Sequence, residues 1–168
     1  MLNLLRKSAV HKALGRSLER QVIARAREPR FFAMLGVPDT MDGRFDMVTL
    51  HAWLVLVRLQ AAGEAAAAQA FTDALFVGFD EALREQGVSD MGMGRRMKAM
   101  ANAFYGRFAA YGAAGTDHEM AEALARNVWR GAPVDDAARA LAAYVLQARA
   151  ALTATSPQAE GLDFGPLP

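Results

Sequence analysis

The residues of this chain able to do chemistry are few: three histidines (His11, His51 and His118), a run of aspartates between Gly36 and His51, and a knot of methionines and cations from Met91 to Met100. The aspartate run, GVPDTMDGRFDMVTLH, resembles a calcium loop around DGR. An EF-hand loop with Gly43 at its sixth position would begin at Pro38 and close at Thr49, where an acidic ligand belongs, so the calcium reading fails. Asp39, Asp42, Asp46 and His51 could gather a metal, but Asp42 and Asp46 also stand where a helix entry favours anionic side chains. The stretch is therefore read as a turn made by Gly36 and Pro38, a cap at Asp42, and the start of a helix.

Other catalytic patterns fall short. HEMAE at His118 carries half of the zinc motif H-E-x-x-H, but Glu122 occupies the second ligand position and Glu119 belongs to a T-x-x-E capping box opened by Thr116. There is no E-x-x-H for a di-iron bundle, no phosphate-binding G-x-x-x-x-G-K and no G-x-S-x-G elbow. Cysteine is absent, which excludes disulfides, thiol catalysis and cysteine-ligated metal. His51 lies on an apolar segment and could ligate haem iron; the commoner state of such a residue is a hydrogen-bonded core histidine, here near Arg58. No catalytic residue, cofactor or metal is assigned.

Two features point to binding instead. Met91, Met93, Met97 and Met100 cluster around a glycine-containing loop beside Arg95, Arg96 and Lys98, and methionine adapts to irregular apolar partners. The first 30 residues hold a net charge of +6 within a chain whose total is +1. With leucines interleaved, residues 1–16 read as a cationic amphipathic arm suited to anionic lipid or RNA through Arg6, Lys7, Lys12 and Arg16.

The elements that must position these groups are helices. At 168 residues the chain predicts one domain with its own core, and no apolar run reaches the ~20 residues of a membrane span, which predicts a soluble protein. Alternating polarity of the strand type is missing, so the fold class is all-α, with about six to seven helices. The first ends near Glu28 at Pro29, followed by a short turn through Phe31, Phe32 and Leu35. The second runs from about Arg44 to Ala61 with two apolar stripes, the mark of a central buried helix. In the third, Phe71, Leu75, Phe79 and Leu83 recur at four-residue steps, with Asp80, Glu81, Arg84 and Glu85 outward. The fourth follows SDMGMG, the fifth opens at Thr116, and the sixth presents Ala138, Leu141, Val145, Ala148 and Leu152 as a seam. Three regions result: the arm 1–16, a helical domain 17–153 and a loose tail 154–168.

Taken together, RAREPRFFAMLGVPDTMDGRFDMVTLHAWLVLVRL and FTDALFVGFDEALREQGVSDMGMGRRMKAMANAFYGRFAAY resemble the ubiquinol-cytochrome c chaperone family, assembly factors of the cytochrome bc1 complex, over roughly residues 18–150. GVPDT, then DGRFD and LH, then DEALREQGVSD, then FYGR with a tyrosine one turn on, carry the resemblance in order and spacing. It marks Asp39, Thr40, Asp42, Gly43, Arg44, Asp46, His51, Asp80, Arg84, Glu85, Asp90, Arg107 and Tyr111 as structural, with the motif aspartates pairing to arginines such as Arg84 or Arg107. The resemblance implies a chaperone without enzymatic activity, binding nascent cytochrome b, with possible contacts to the ribosome, an anionic membrane face and a small partner protein, and none to DNA. Sixteen arginines against three lysines fit a bacterial version, placed in the cytoplasm at the inner membrane; a eukaryotic one would face the mitochondrial matrix. Two other readings stand beside it: a haem-handling protein using His51 or a methionine, and a membrane or RNA adaptor working through the arm alone.

Overall fold

The computed structural model describes residues 2–154 and 161–168, with the side chains of residues 2–5 and 7 outside that description. Every regular element among the described residues is helical: α1 (Leu2–Ala26), α2 (Pro29–Ala33), α3 (Met41–Ala61), α4 (Ala65–Glu85), α5 (Asp90–Ala113), α6 (Asp117–Val128) and α7 (Asp136–Ala154). No helix among them is long and apolar enough to cross a membrane.

Helix α3 is the axis of the molecule. Its two apolar stripes are both covered, because α1, α4, α5, α6 and α7 all pack on it. Fully burying a large apolar side chain contributes roughly 1.5–3 kcal/mol, and α3 alone buries Met47, Leu50, Trp53, Leu54, Leu56 and Leu59. The four-step row of α4 and the seam of α7 are buried as their spacing predicts. Thr116 and Glu119 form the expected capping box at the start of α6.

Three local expectations differ. The cap of α3 is Thr40, whose hydroxyl accepts from the Gly43 amide at 3.1 Å, and Asp42 instead occupies the first turn, where the helix dipole favours its charge. Residues 89–94 are not a loop; Ser89 is extended and α5 already begins at Asp90, so Met91 and Met93 are helical. The turn after Pro29 winds into the single-turn helix α2, which buries Phe31. The far end of the tail is also not loose. Phe164 is buried against the ring of His51 at 5.3 Å, the Leu162 amide donates to Gln21 at 2.6 Å, and the Gly165 carbonyl accepts from Arg25 at 2.7 Å. One aromatic anchor and two backbone bonds outweigh the loop-like composition there.

Close helix approach depends on one residue in α1. A Cβ on Gly15 would stand 2.4 Å from the Ala70 carbonyl oxygen of α4, closer than any real contact allows. Gly106 in mid-α5 has nothing within 4 Å of the same position. Gly15→Ala is therefore expected to lower unfolding free energy by about 1–3 kcal/mol, while Gly106→Ala raises it by up to about 1 kcal/mol. Urea denaturation of both variants checks the pair; equal effects would refute the close approach.

Candidate functional site

Three places gather the residues singled out by sequence: a buried acid held by arginines, a buried histidine held by a tyrosine, and the outer face of α5.

Asp46 lies on α3 with no exposed surface. Arg107 of α5 reaches one carboxylate oxygen at 2.6 Å, and Arg130, after α6, reaches the other at 2.9 Å. Arg130 also approaches Asp42 at 3.8 Å. Arg130 has a left-handed backbone (φ 56°) just past the C-cap of α6, a conformation that commonly terminates a helix. Desolvation raises the Asp46 pKa to about 6 against the pull of the two guanidiniums, so the carboxylate is ionised at neutral pH. The Arg107 guanidinium further stacks over Phe45 at 5.2 Å. Tyr111, one turn beyond Arg107, is buried with its ring against Trp53, and burial raises its hydroxyl pKa.

The expected pairing to Arg107 is thus present, through Asp46. Asp39 instead bonds Arg44, five residues on, at 2.7 Å, and Arg84 bonds Asp80 and Asp90, both at 2.7 Å, tying α4 to the start of α5. Glu85 is exposed. Arg130 was not legible, because nothing local marks a residue 84 positions from Asp46 as its partner.

His51 is equally enclosed. Its Nδ1 lies 2.8 Å from the Met47 carbonyl, which can only accept, so Nδ1 carries the proton and Nε2 accepts from the Tyr144 hydroxyl at 2.8 Å. That hydroxyl in turn accepts from Arg25 Nε at 3.0 Å. Phe31, Tyr144 and Phe164 pack around the imidazole. Desolvation lowers the histidine pKa to about 4, and the ring is neutral. Both nitrogens are engaged within the core, so His51 has no lone pair to offer haem iron. Arg58, expected nearby, donates instead to the Leu152 carbonyl at 2.9 Å. Tyr144 and Arg25 were missed; Tyr144 does fall beside the α7 seam, at the same helical spacing.

The methionines divide. Met93 is core, Met97 and Met100 are half-buried, and Met91 is 99% exposed. No residue between Met93 and Phe104 is fully buried, so this half of α5 carries an apolar side that its neighbours only partly cover. Tyr105, 56% exposed, stacks on Phe76 of α4 at 6.2 Å, next to Val77, 59% exposed. Arg95, Arg96 and Lys98 are exposed along the same half of the helix. On α1, Arg6, Lys12 and Arg16 are exposed; the side chain of Lys7 lies outside the described residues. Among the described residues no group of three or more His, Asp or Glu is placed to hold a metal, and His118 sits 3.6 Å from Glu122, one turn away.

The two buried centres act oppositely with pH. His51, with a folded pKa of about 4 against an ordinary 6.5, stabilises fully above pH 6.5 and loses that contribution as pH falls toward 4. Asp46, at about 6 against an ordinary 3.8, contributes fully below 3.8 and loses its contribution as pH rises through 6. Relative to the parent chain, Asp46→Asn should steepen the loss of stability on acidification and His51→Gln should flatten or invert it, each by on the order of 3 kcal/mol. Urea midpoints at about pH 7, 5.5 and 4 check the signs. Parallel slopes in the two variants would overturn the assignment.

The sequence profile of one family, described as ubiquinol-cytochrome C chaperone, matches residues 33–159. Among curated proteins no relative matches the chain. Among solved structures, the crystal structure of the Cbp3 homolog from Brucella abortus is similar, with a TM-score of 0.82 and 37% sequence identity over 98% of each chain.

Proposed function

The chain belongs to the ubiquinol-cytochrome C chaperone family, and from that premise we propose that its client is newly made cytochrome b, sheltered before it enters the bc1 complex. The half-covered face of α5 carries this reading. Nascent transmembrane segments are apolar and have no fixed side-chain register, and Met97, Met100 and Tyr105 on α5 offer apolar side chains whose methionines can change rotamer to suit them. Arg95, Arg96 and Lys98 stand beside that surface, where they meet the anionic headgroups or loop acids that border a membrane segment.

The exposed cations of α1 serve a second task in this proposal, holding the chaperone at an anionic membrane face or at the ribosome while the client emerges. Arg6, Lys12, Arg16 and Arg20 share the outer side of α1, away from Leu18 and Val22 in the core. Such attachment is electrostatic and weakens with salt. A small partner protein, as the family resemblance implies, would meet the same exposed surfaces. The protein acts by binding alone, in the bacterial cytoplasm at the inner membrane.

Loss of the gene is expected to lower cytochrome b and quinol-cytochrome c reductase activity together, with other respiratory complexes unaffected. A photo-crosslinker at Met97 should capture cytochrome b in cells, and one at Arg126, exposed on α6, should not. Normal cytochrome b levels in the deletion strain would end the proposal.

A further inference from the structure

A pocket of about 100 Å³ opens where α1, α3, α4 and α5 converge, walled by Phe45, Val48, Leu75, Phe79 and Met100. Arg27 and Arg44 stand at its mouth and also line a second, shallower depression beside Phe32 and Pro29, so the two hollows join at the arginines. Arg44 is bonded to Asp39. Arg27 is exposed and has no carboxylate within ion-pair distance among the described residues.

We propose that this pocket is a peptide-docking site for a partner segment carrying one large apolar side chain flanked by acidic residues. Size selects the anchor. A space of this order holds a benzene-sized group, the bulk of a single phenylalanine or leucine side chain, and the adjoining depression leaves room for the polypeptide on either side of it. Charge selects the flanks. Arg27 at the junction presents a guanidinium fork without an ion-pair partner among the described residues, suited to a carboxylate, while the Asp39 carboxylate that also lines the second depression is already taken up by Arg44. A buried apolar anchor with a charged rim is the arrangement in which a few residues carry most of an interface's affinity. The occupant differs in chemistry from a transmembrane client, and the site stands whether or not cytochrome b is that client.

Fluorescence polarisation of the full chain with a fluorescein-labelled Asp-Glu-Phe-Glu-Asp peptide tests it. Saturable binding is expected, weakened about tenfold or more by Arg27→Glu, by replacing the peptide's phenylalanine with alanine, and by exchanging its acids for lysines. Ala82→Phe, which fills the pocket, should abolish binding, and Arg126→Glu on α6 should leave it unchanged. Because Arg27 is a surface residue, its variant reads the site even where Ala82→Phe lowers stability. No binding of the acidic peptide, equal affinity for the lysine version, an unaltered Kd in Arg27→Glu, or displacement by phosphatidylglycerol vesicles would each overturn the proposal.

Discussion

Placing Asp46 out of water is the constraint around which this molecule is arranged. A carboxylate inside a helical core is expensive to desolvate, and it persists only when opposite charges and donors reach it from fixed positions. Here those positions are on α5 and at the end of α6, so satisfying one side chain of α3 dictates where two other helices lie. His51, a turn and a half further along α3, does the same for α1, α7 and the closing segment through Tyr144, Arg25 and Gly165. Apolar packing supplies most of the stabilisation, but it is tolerant of register; these two polar centres are not.

That distribution of constraint bears on α5. Its second half is fixed by Arg107 and Tyr111, drawn toward Asp46 and Trp53 of α3, and by Phe104, packed on Phe76 and Phe79 of α4. Its first half is held by Met93, by the half-buried Met97 and Met100, and by the exposed pairing of Arg84 with Asp90, and exposed ion pairs contribute little. One helix is thus anchored at one end and lightly tethered at the other. Side chains not committed to a packed interior can rearrange at low cost, so the lightly tethered half is the more adaptable one.

What could be read beforehand followed from period and from local partners. The α4 row Phe71, Leu75, Phe79 and Leu83 was legible because a four-residue step is a property of one helix, and the Thr116 to Glu119 box because both partners lie within one turn. The pairing of His51 with Tyr144 spans 93 residues and that of Arg25 with Gly165 spans 140, distances over which composition has no bearing. The same limit misplaced the partner of His51 at Arg58 and left Arg130 out altogether. Phe164 failed for a different reason: a segment rich in glycine and proline reads as loose, and a single aromatic residue able to fill a gap beside an imidazole reverses that judgement. The methionines and cations of α5 were legible by type, but the division of the methionines between core and surface waited on knowing that α5 starts at Asp90.

The cations of α5 can be weighed as helix residues. On α4, Arg84 follows Asp80 by one turn and bonds it, the arrangement that supports an exposed helix. Arg95, Arg96 and Lys98 have no acid three or four residues away in either direction, and Lys98 stands one turn from Arg95, a spacing at which like charges repel. They lie too near the start of α5 to complement its dipole, which favours cations at the opposite end. Helix stability therefore gives no reason for this trio, and burial gives none either, since all three are exposed. A cluster that costs its own helix a few tenths of a kcal/mol per unfavourable pair, set beside a half-covered apolar side of α5, finds no account within the helix, and the proposed docking of a partner from outside would supply one.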